Sequence, residues 1–340
     1  MGFTIKLPPP KILVLRHRLR DPAFYDQFLH WLVFHYPDTA EHFFIHDLPD
    51  PIPDNPRYCL LVPWLQDPVE QWSPTTFQQV VALSELLGQR GIRTVNRLEN
   101  QANSSKCRAS EIIRSVGFRT PRMVLIQDVK AFLATPNLPF PFIVRENEGH
   151  RGPMIRVTCG AELERVPWKE LFCPVAVEFV DVADPNDGLY RKFRYTVCGQ
   201  YGVSHHMVVS ENWITHGDNR LISDTSREEE LEYLRQEDPH REAFFKAAAA
   251  MELDLLAFDY GYDREGRPVV WEANPYPSIQ FGVSDTIYRN AARHRTFRCM
   301  LAMYLDLAGL NFPAGLEESL KYPMMPDEEA HFATFPSFLP

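Results

Sequence analysis

LLAFDYGYDREGRPVVWEANPYPSIQFG, residues 255–282, decides how the rest of the chain is read. Two apolar runs, LLAFDY and PVVWEAN, flank DREGRP, whose Asp, Gly and Pro form tight turns, so the stretch predicts a β-hairpin. Asp259 precedes Glu272 by 13 residues, and Asn274 follows Glu272 by two. Side chains alternate along a strand, so Glu272 and Asn274 share a face, and pairing can set a carboxylate opposite its neighbour. Three converging oxygen donors suit a hard cation, and Mg²⁺ held by one or two carboxylates usually carries nucleotide phosphates. The blander alternative is solvated charge on an exposed strand, since E-x-N recurs by chance. Leu255, Leu256, Phe258, Val269, Val270 and Trp271 predict a buried hairpin instead, and buried carboxylates need a counter-ion.

The chain has 340 residues, enough for two or three domains with a substantial core. With 45% hydrophobic and 24% charged residues it reads as globular and soluble. A net charge of −10 disfavours general nucleic-acid binding, so any anion site is a local matter of placed Arg and Lys. No apolar run approaches the roughly 18 residues of a membrane span. MGFTIKLPPPKILVL has no signal-peptide core, and the expected location is cytoplasmic. The cysteines (Cys59, Cys107, Cys159, Cys173, Cys198, Cys299) are scattered without a C-x-x-C pair, which fits reduced thiols and argues against zinc. His42 with His46, and His205 with His206, sit in strand-like settings. Residues four apart on a strand lie about 13 Å from one another, a poor spacing for a metal site.

Along the chain, KILVL (11–15) reads as a buried strand followed by the basic segment Arg16 to Arg20. A helix is predicted over PAFYDQFLHWLVFHY, then strands at HFFIHDL and YCLLVPWL. A further helix starts with Ser73 as N-cap and Pro74 at its first position and stops at Gly91, before the strand IRTVN. Such alternation implies a parallel α/β sheet with ligands at its carboxyl edge, where Arg16, His17 and Arg18 fall; a solvated basic turn is the equal alternative. Next come a helix capped by Ser104 or Ser105 and ending at Gly117, then strand, glycine-containing loop and strand over LPFPFIVRENEGHRGPMIRV. The strand CPVAVEFVDV carries Glu178, and LYRKFRYTVCG carries Arg191, Lys192 and Arg194, whose concentration requires something negative on one face. A helical stretch, REEELEYLRQ to AFFKAAAAMELD, leads into the hairpin, and residues from about 312 are Pro-rich and irregular.

The order of these pieces resembles the ATP-grasp superfamily, over roughly residues 75 to 282. The resemblance implies an α/β chain, α+β in its C-terminal part: a Rossmann-like pre-ATP-grasp domain (1–103) followed by a two-lobed ATP-grasp fold. That fold divides into a small lobe with the glycine loop (104–180) and a large lobe with the metal site (181–311), and an irregular tail (312–340) completes the chain. It implies that Asp259, Glu272 and Asn274 hold one or two Mg²⁺ ions on the phosphates of ATP. Lys106 would touch the nucleotide. AVEFVD would be the hinge strand against which adenine lies, with Glu178 at its acidic position and the main chain of Phe179, Val180 and Asp181 facing the base. Arg194 would contact phosphate or substrate.

Two departures stand out. Arg145 occupies the place usually held by Lys before the glycine loop; it keeps the charge and can grip phosphate bidentately. Lys192 falls where the ribose-binding acid is usual, leaving Asp184 or Asp187 as substitutes, unless these belong to a solvated turn. His150 and Arg151 lie inside the loop as further phosphate-contacting candidates. The implied reaction is attack of a carboxylate on the γ-phosphate, with Arg194 and Arg145 in catalytic roles, then displacement of phosphate by an amine or similar nucleophile. Arg16, His17, Arg18, Tyr276 and Ser278 are candidate acceptor contacts. The expected partners are a small-molecule or peptide carboxylate and a nucleophile, not nucleic acid or membrane, and a homodimer stays open. The alternatives are a small-molecule or sugar kinase on the same machinery, and a nucleotide-binding protein without turnover.

Overall fold

A computed structural model describes residues 9–19, 23–149, 152–216, 219–281 and 284–321. The chain divides into two compact units that are not consecutive in sequence: residues to Glu99 with those from Ser278 to Lys321, and Asn100–Pro277. The sequence reading had placed residues 278–311 with the large lobe.

In the first unit, strands β1 (Lys11–His17), β2 (Phe43–Leu48), β3 (Tyr58–Pro63) and β4 (Arg93–Thr94) form a parallel sheet in the order β2-β1-β3-β4. A parallel sheet must be covered on both faces, which is why Ile12 to Leu15 are all fully buried. Leu13 and Leu15 face Val80 and Leu87 of one helix, Pro74–Gln89. The helices Ala23–His35 and Asn290–Ala308 carry the aromatic groups Phe28, Phe297 and Tyr304, and Phe28 meets Phe43 of β2. The 19-residue helix Asn290–Ala308 was not anticipated from sequence; it is buried nearly all round, so its pattern shows little amphipathic period. Ser73 precedes its helix as expected, but its hydroxyl donates to Thr76 Oγ1 (2.7 Å) instead of accepting from backbone.

The second unit holds two antiparallel sheets. Strands β5 (Met123–Leu125), β6 (Phe142–Glu146), β7 (Ile155–Val157) and β8 (Pro174–Glu178) lie in the order β5-β8-β6-β7. Strands β9 (Tyr190–Cys198), β10 (Tyr201–Ser210), β11 (Leu255–Tyr262) and β12 (Pro268–Asn274) lie in the order β10-β9-β11-β12. Helices Lys106–Ser115 and Arg241–Met251 cover one face of this second sheet through Ala109, Ile113, Phe244, Ala247 and Met251.

Strand alternation sets the site. Tyr195 and Val197 of β9, and Leu256, Phe258 and Tyr260 of β11, enter the helix-covered core. Lys192, Arg194 and Asp259 therefore face the other way. The predicted hairpin is present, and Asp259 pairs directly opposite Glu272. A bulge then follows, because Tyr260 pairs with Val270 and leaves Trp271 as the extra residue. That phase change lets Val270 and Ala273 join the core while Val269, Trp271 and Glu272 line a cavity. In the turn, Asp263 accepts from the amides of Glu265 (3.1 Å) and Arg267 (2.8 Å), and Gly266 supplies a positive φ of 73°.

Candidate nucleotide site

A cavity in the second unit is lined by the apolar groups Met123, Ile143, Val177, Phe179, Val180 and Ile214. The charged groups Lys106, Arg145, Glu178, Lys192, Asp259 and Glu272 line it as well. Apolar walls beside converging charges fit a ligand with a flat apolar part and an anionic part.

Lys106 opens its helix, and its own amide donates to Asn147 O (2.9 Å). The cap comes from a distant residue: Asn147 Oδ1 accepts from the Cys107 amide at 3.0 Å, while Ser105 makes no side-chain cap. Lys106 Nζ donates to Gly149 O at 2.6 Å, which ties the buried lysine to the start of the glycine loop. His150 and Arg151 of that loop lie outside the described residues. Burial, reinforced by Glu111 and Cys173, pushes the Cys107 thiol up to about 11, so this helix start presents a protonated thiol and not a nucleophile. Burial also pulls the Arg145 guanidinium below its ordinary value, against the opposing charge of Glu272.

At the hinge, Glu178 Oε2 accepts from the Arg122 amide (2.8 Å). Phe179 lies under the Arg156 guanidinium, 4.0 Å from ring centroid to Cζ, and edge-on to Trp213 at 5.6 Å. Asp181 turns away to Arg264 (2.7 Å), so only Phe179 and Val180 of the expected hinge trio line the cavity.

The most constrained group is Asp259, only 2% exposed in its side chain. Arg194 grips it in a fork, Nε to Oδ1 at 2.6 Å and Nη2 to Oδ2 at 2.9 Å. Lys192 Nζ donates to Oδ2 at 3.2 Å. Burial opposes the Asp259 charge, yet Arg194 and Lys192 hold its carboxyl below the usual range. Burial likewise opposes the Arg194 charge, and Asp259 outweighs it to raise that pKa. The negative partner required by the cation-rich strand is thus Asp259 on one face, while on the other Arg191 binds Glu229 (2.8 Å) and Asp187 (2.7 Å).

Several of the expected positions have partners of their own. Arg194 is spent on Asp259 and does not line the cavity. Asp187 is held by Arg191 and the Leu189 amide (2.9 Å), and neither it nor Asp184 lines the cavity. Tyr276 contributes its amide to Asn274 Oδ1 at 2.8 Å, and Ser278 is exposed. Arg16 pairs with Asp47 (2.6 Å) and Asp26 (2.5 Å), Arg18 pairs with Asp50, and His17 is buried edge-on to Trp72, so internal partners account for all three. Sequence reading missed Trp213 to His216, which follow β10 and line the cavity; no spacing signal marks a loop that acts through its side chains.

The donors fit a divalent cation only in part. Glu272 lines the cavity, whereas Asn274, two residues on, is buried and does not line it; the amide bond from Tyr276 takes one lone pair of Asn274 Oδ1 and leaves the other. Asp259 Oδ2 is filled by Arg194 and Lys192 together, while Oδ1 accepts from Arg194 alone and keeps one lone pair, so Asp259 has at most one position to offer a cation. Among the described residues, no group of three or more His, Cys, Asp or Glu side chains could hold a metal ion. No described helix is long and apolar enough to cross a membrane.

No protein-family model matches the sequence, and no curated protein does either. Solved structures do match. The ATP-grasp ligase PsnB, in complex with precursor peptide PsnA2 and AMPPNP, aligns with TM-score 0.55 at 12% identity, over 89% of this chain and 100% of its own. VanG D-Ala:D-Ser ligase from Enterococcus faecalis aligns with TM-score 0.55 at 13% identity, over 88% and 99%. D-alanine–D-alanine ligase from Bacillus anthracis, complexed with ATP, aligns with TM-score 0.53 at 14% identity, over 89% and 100%. The chain has the ATP-grasp fold, with a Rossmann-like parallel sheet in its N-terminal unit. At these identities the likeness is one of fold, and the chemistry has to be argued from the residues.

Proposed function

We propose that the chain is an ATP- and Mg²⁺-dependent ligase that joins a carboxylic acid to an amine or similar nucleophile through an acylphosphate. The observation that carries this reading is one cavity lined both by apolar groups, Phe179 and Val180 among them, and by Lys106, Arg145 and Lys192. Adenine suits the apolar groups and a polyphosphate the cations. The fold supports it, since the structures it matches include ligases solved with ATP or AMPPNP.

In the reaction so read, a substrate carboxylate oxygen attacks the γ-phosphorus and the bond to the β-bridging oxygen breaks, releasing ADP. The nucleophile then adds to the acyl carbon, and inorganic phosphate leaves with the bonding pair while the nitrogen loses its proton. The protein's work is alignment and charge neutralisation, with no nucleophilic side chain needed. Lys106 and Arg145 hold the α and β end. Arg194 acts through Asp259 as a positioning residue. Glu272 and Asn274 would hold Mg²⁺, which supplies Lewis-acid neutralisation across the phosphates.

The test is ADP release from MgATP against pooled amino acids, peptides, hydroxy acids and sugars. Release that needs both an acid and an amine is expected. Release with a stable phosphorylated alcohol would make the protein a kinase, and AMPPNP binding without any release would make it a nucleotide-binding protein without turnover.

A further inference from the structure

Asp259 stands opposite Glu272, yet both its oxygens accept from β9, Oδ2 from Arg194 and Lys192 together and Oδ1 from Arg194. We propose that Lys192 takes the place of a second divalent cation, so that the site binds its nucleotide with one such ion, on the Glu272–Asn274 side. This rests on the nucleotide reading above. Three observations carry it.

The first is register. Arg194 pairs directly with Asp259 across β9 and β11, and Lys192 lies two residues away on the same face, so the clamp is built into the sheet. The second is reach. Lys192 also lines the cavity, and an ammonium has three donors, so one can serve Asp259 while others point to a phosphate oxygen. The third is charge. Asp259 is already matched by two fixed cations, Arg194 and Lys192, and a second divalent ion would have to enter beside both.

Mn²⁺ counted by electron paramagnetic resonance, in the presence of saturating AMPPNP, tests this on the intact chain. The wild-type protein should hold one Mn²⁺ per bound AMPPNP, and Lys192→Asp should hold two. Lys192→Met, checked for folding by thermal melting, should keep one ion and bind AMPPNP about tenfold or more weakly, since a phosphate contact is lost. Two ions per nucleotide in the wild type, or unchanged affinity in Lys192→Met, would overturn the proposal while leaving the nucleotide reading intact. No AMPPNP binding at all would overturn both.

Discussion

Asp259 answers to two demands, because a carboxylate this deeply buried has to be neutralised whatever its role in the reaction. Removing one partner of a buried ion pair costs about 3–5 kcal/mol, since the remaining charge is left without compensation. Asp259→Asn should therefore lower unfolding stability by about that amount, read from urea denaturation; a change within about 0.5 kcal/mol would show that the clamp is not structural. Glu272 makes the opposite case. Glu272→Gln keeps the shape and removes the charge, and should reduce ADP release by on the order of 10²-fold or more; near-normal turnover contradicts its role. Away from the cavity, burial holds the His240 imidazole below its ordinary 6.5, against Asp238. A folded-state pKa below the unfolded one gives stability that is full above about 6.5 and lost as pH falls through the folded value. Asp238 shifts upward through burial, so its contribution has the opposite sign and is lost as pH rises through its own folded value. Melting temperature should fall as pH drops below about 6.5, less steeply in His240→Gln; parallel slopes would contradict this. At this scale the sequence was partly readable. The cations of RKFR demanded a negative partner, but nothing in the sequence said that Asp259 would be it, because the β9–β11 pairing spans some 65 residues.

The element that organises the cavity is β11, central between β9 and β12. Gly261 is where its neighbours come closest: a Cβ there would lie 2.9 Å from the Arg191 carbonyl and 2.9 Å from the Trp271 ring. The carbonyl belongs to a paired strand and cannot yield, so Gly261→Ala should destabilise by about 1–3 kcal/mol. An unchanged urea midpoint would show that β9 gives way more easily than the sheet implies. The hairpin itself was legible, since turn residues between two apolar runs leave few other structures. Its bulge was not, because alternation read from Leu255 or from Asn274 gives no sign of where the phase slips at Trp271. Helix Asn290–Ala308 escaped for a related reason, as burial on all sides erases the periodicity that reveals a helix. The Lys106 helix was found at its start but for the wrong cap: Ser104 or Ser105 is the usual kind of residue, and Asn147, just past β6, does the work.

Across the whole chain, the ATP-grasp fold could be read from the order of a lysine-bearing helix, a glycine loop, a hinge strand, a cation-rich strand and an acidic hairpin. The closing of the first unit by residues beyond Ser278 could not, because chain order does not report which core a late helix joins. What the fold leaves to the residues is whether the cavity takes a nucleotide. Calorimetric titration of AMPPNP with Mg²⁺ into the intact chain measures this directly. One saturable site is expected, with affinity reduced about tenfold or more in Lys106→Ala and in Arg145→Ala, each retaining wild-type secondary structure. No heat of binding in the wild type, or binding unaltered by both substitutions, would contradict the account.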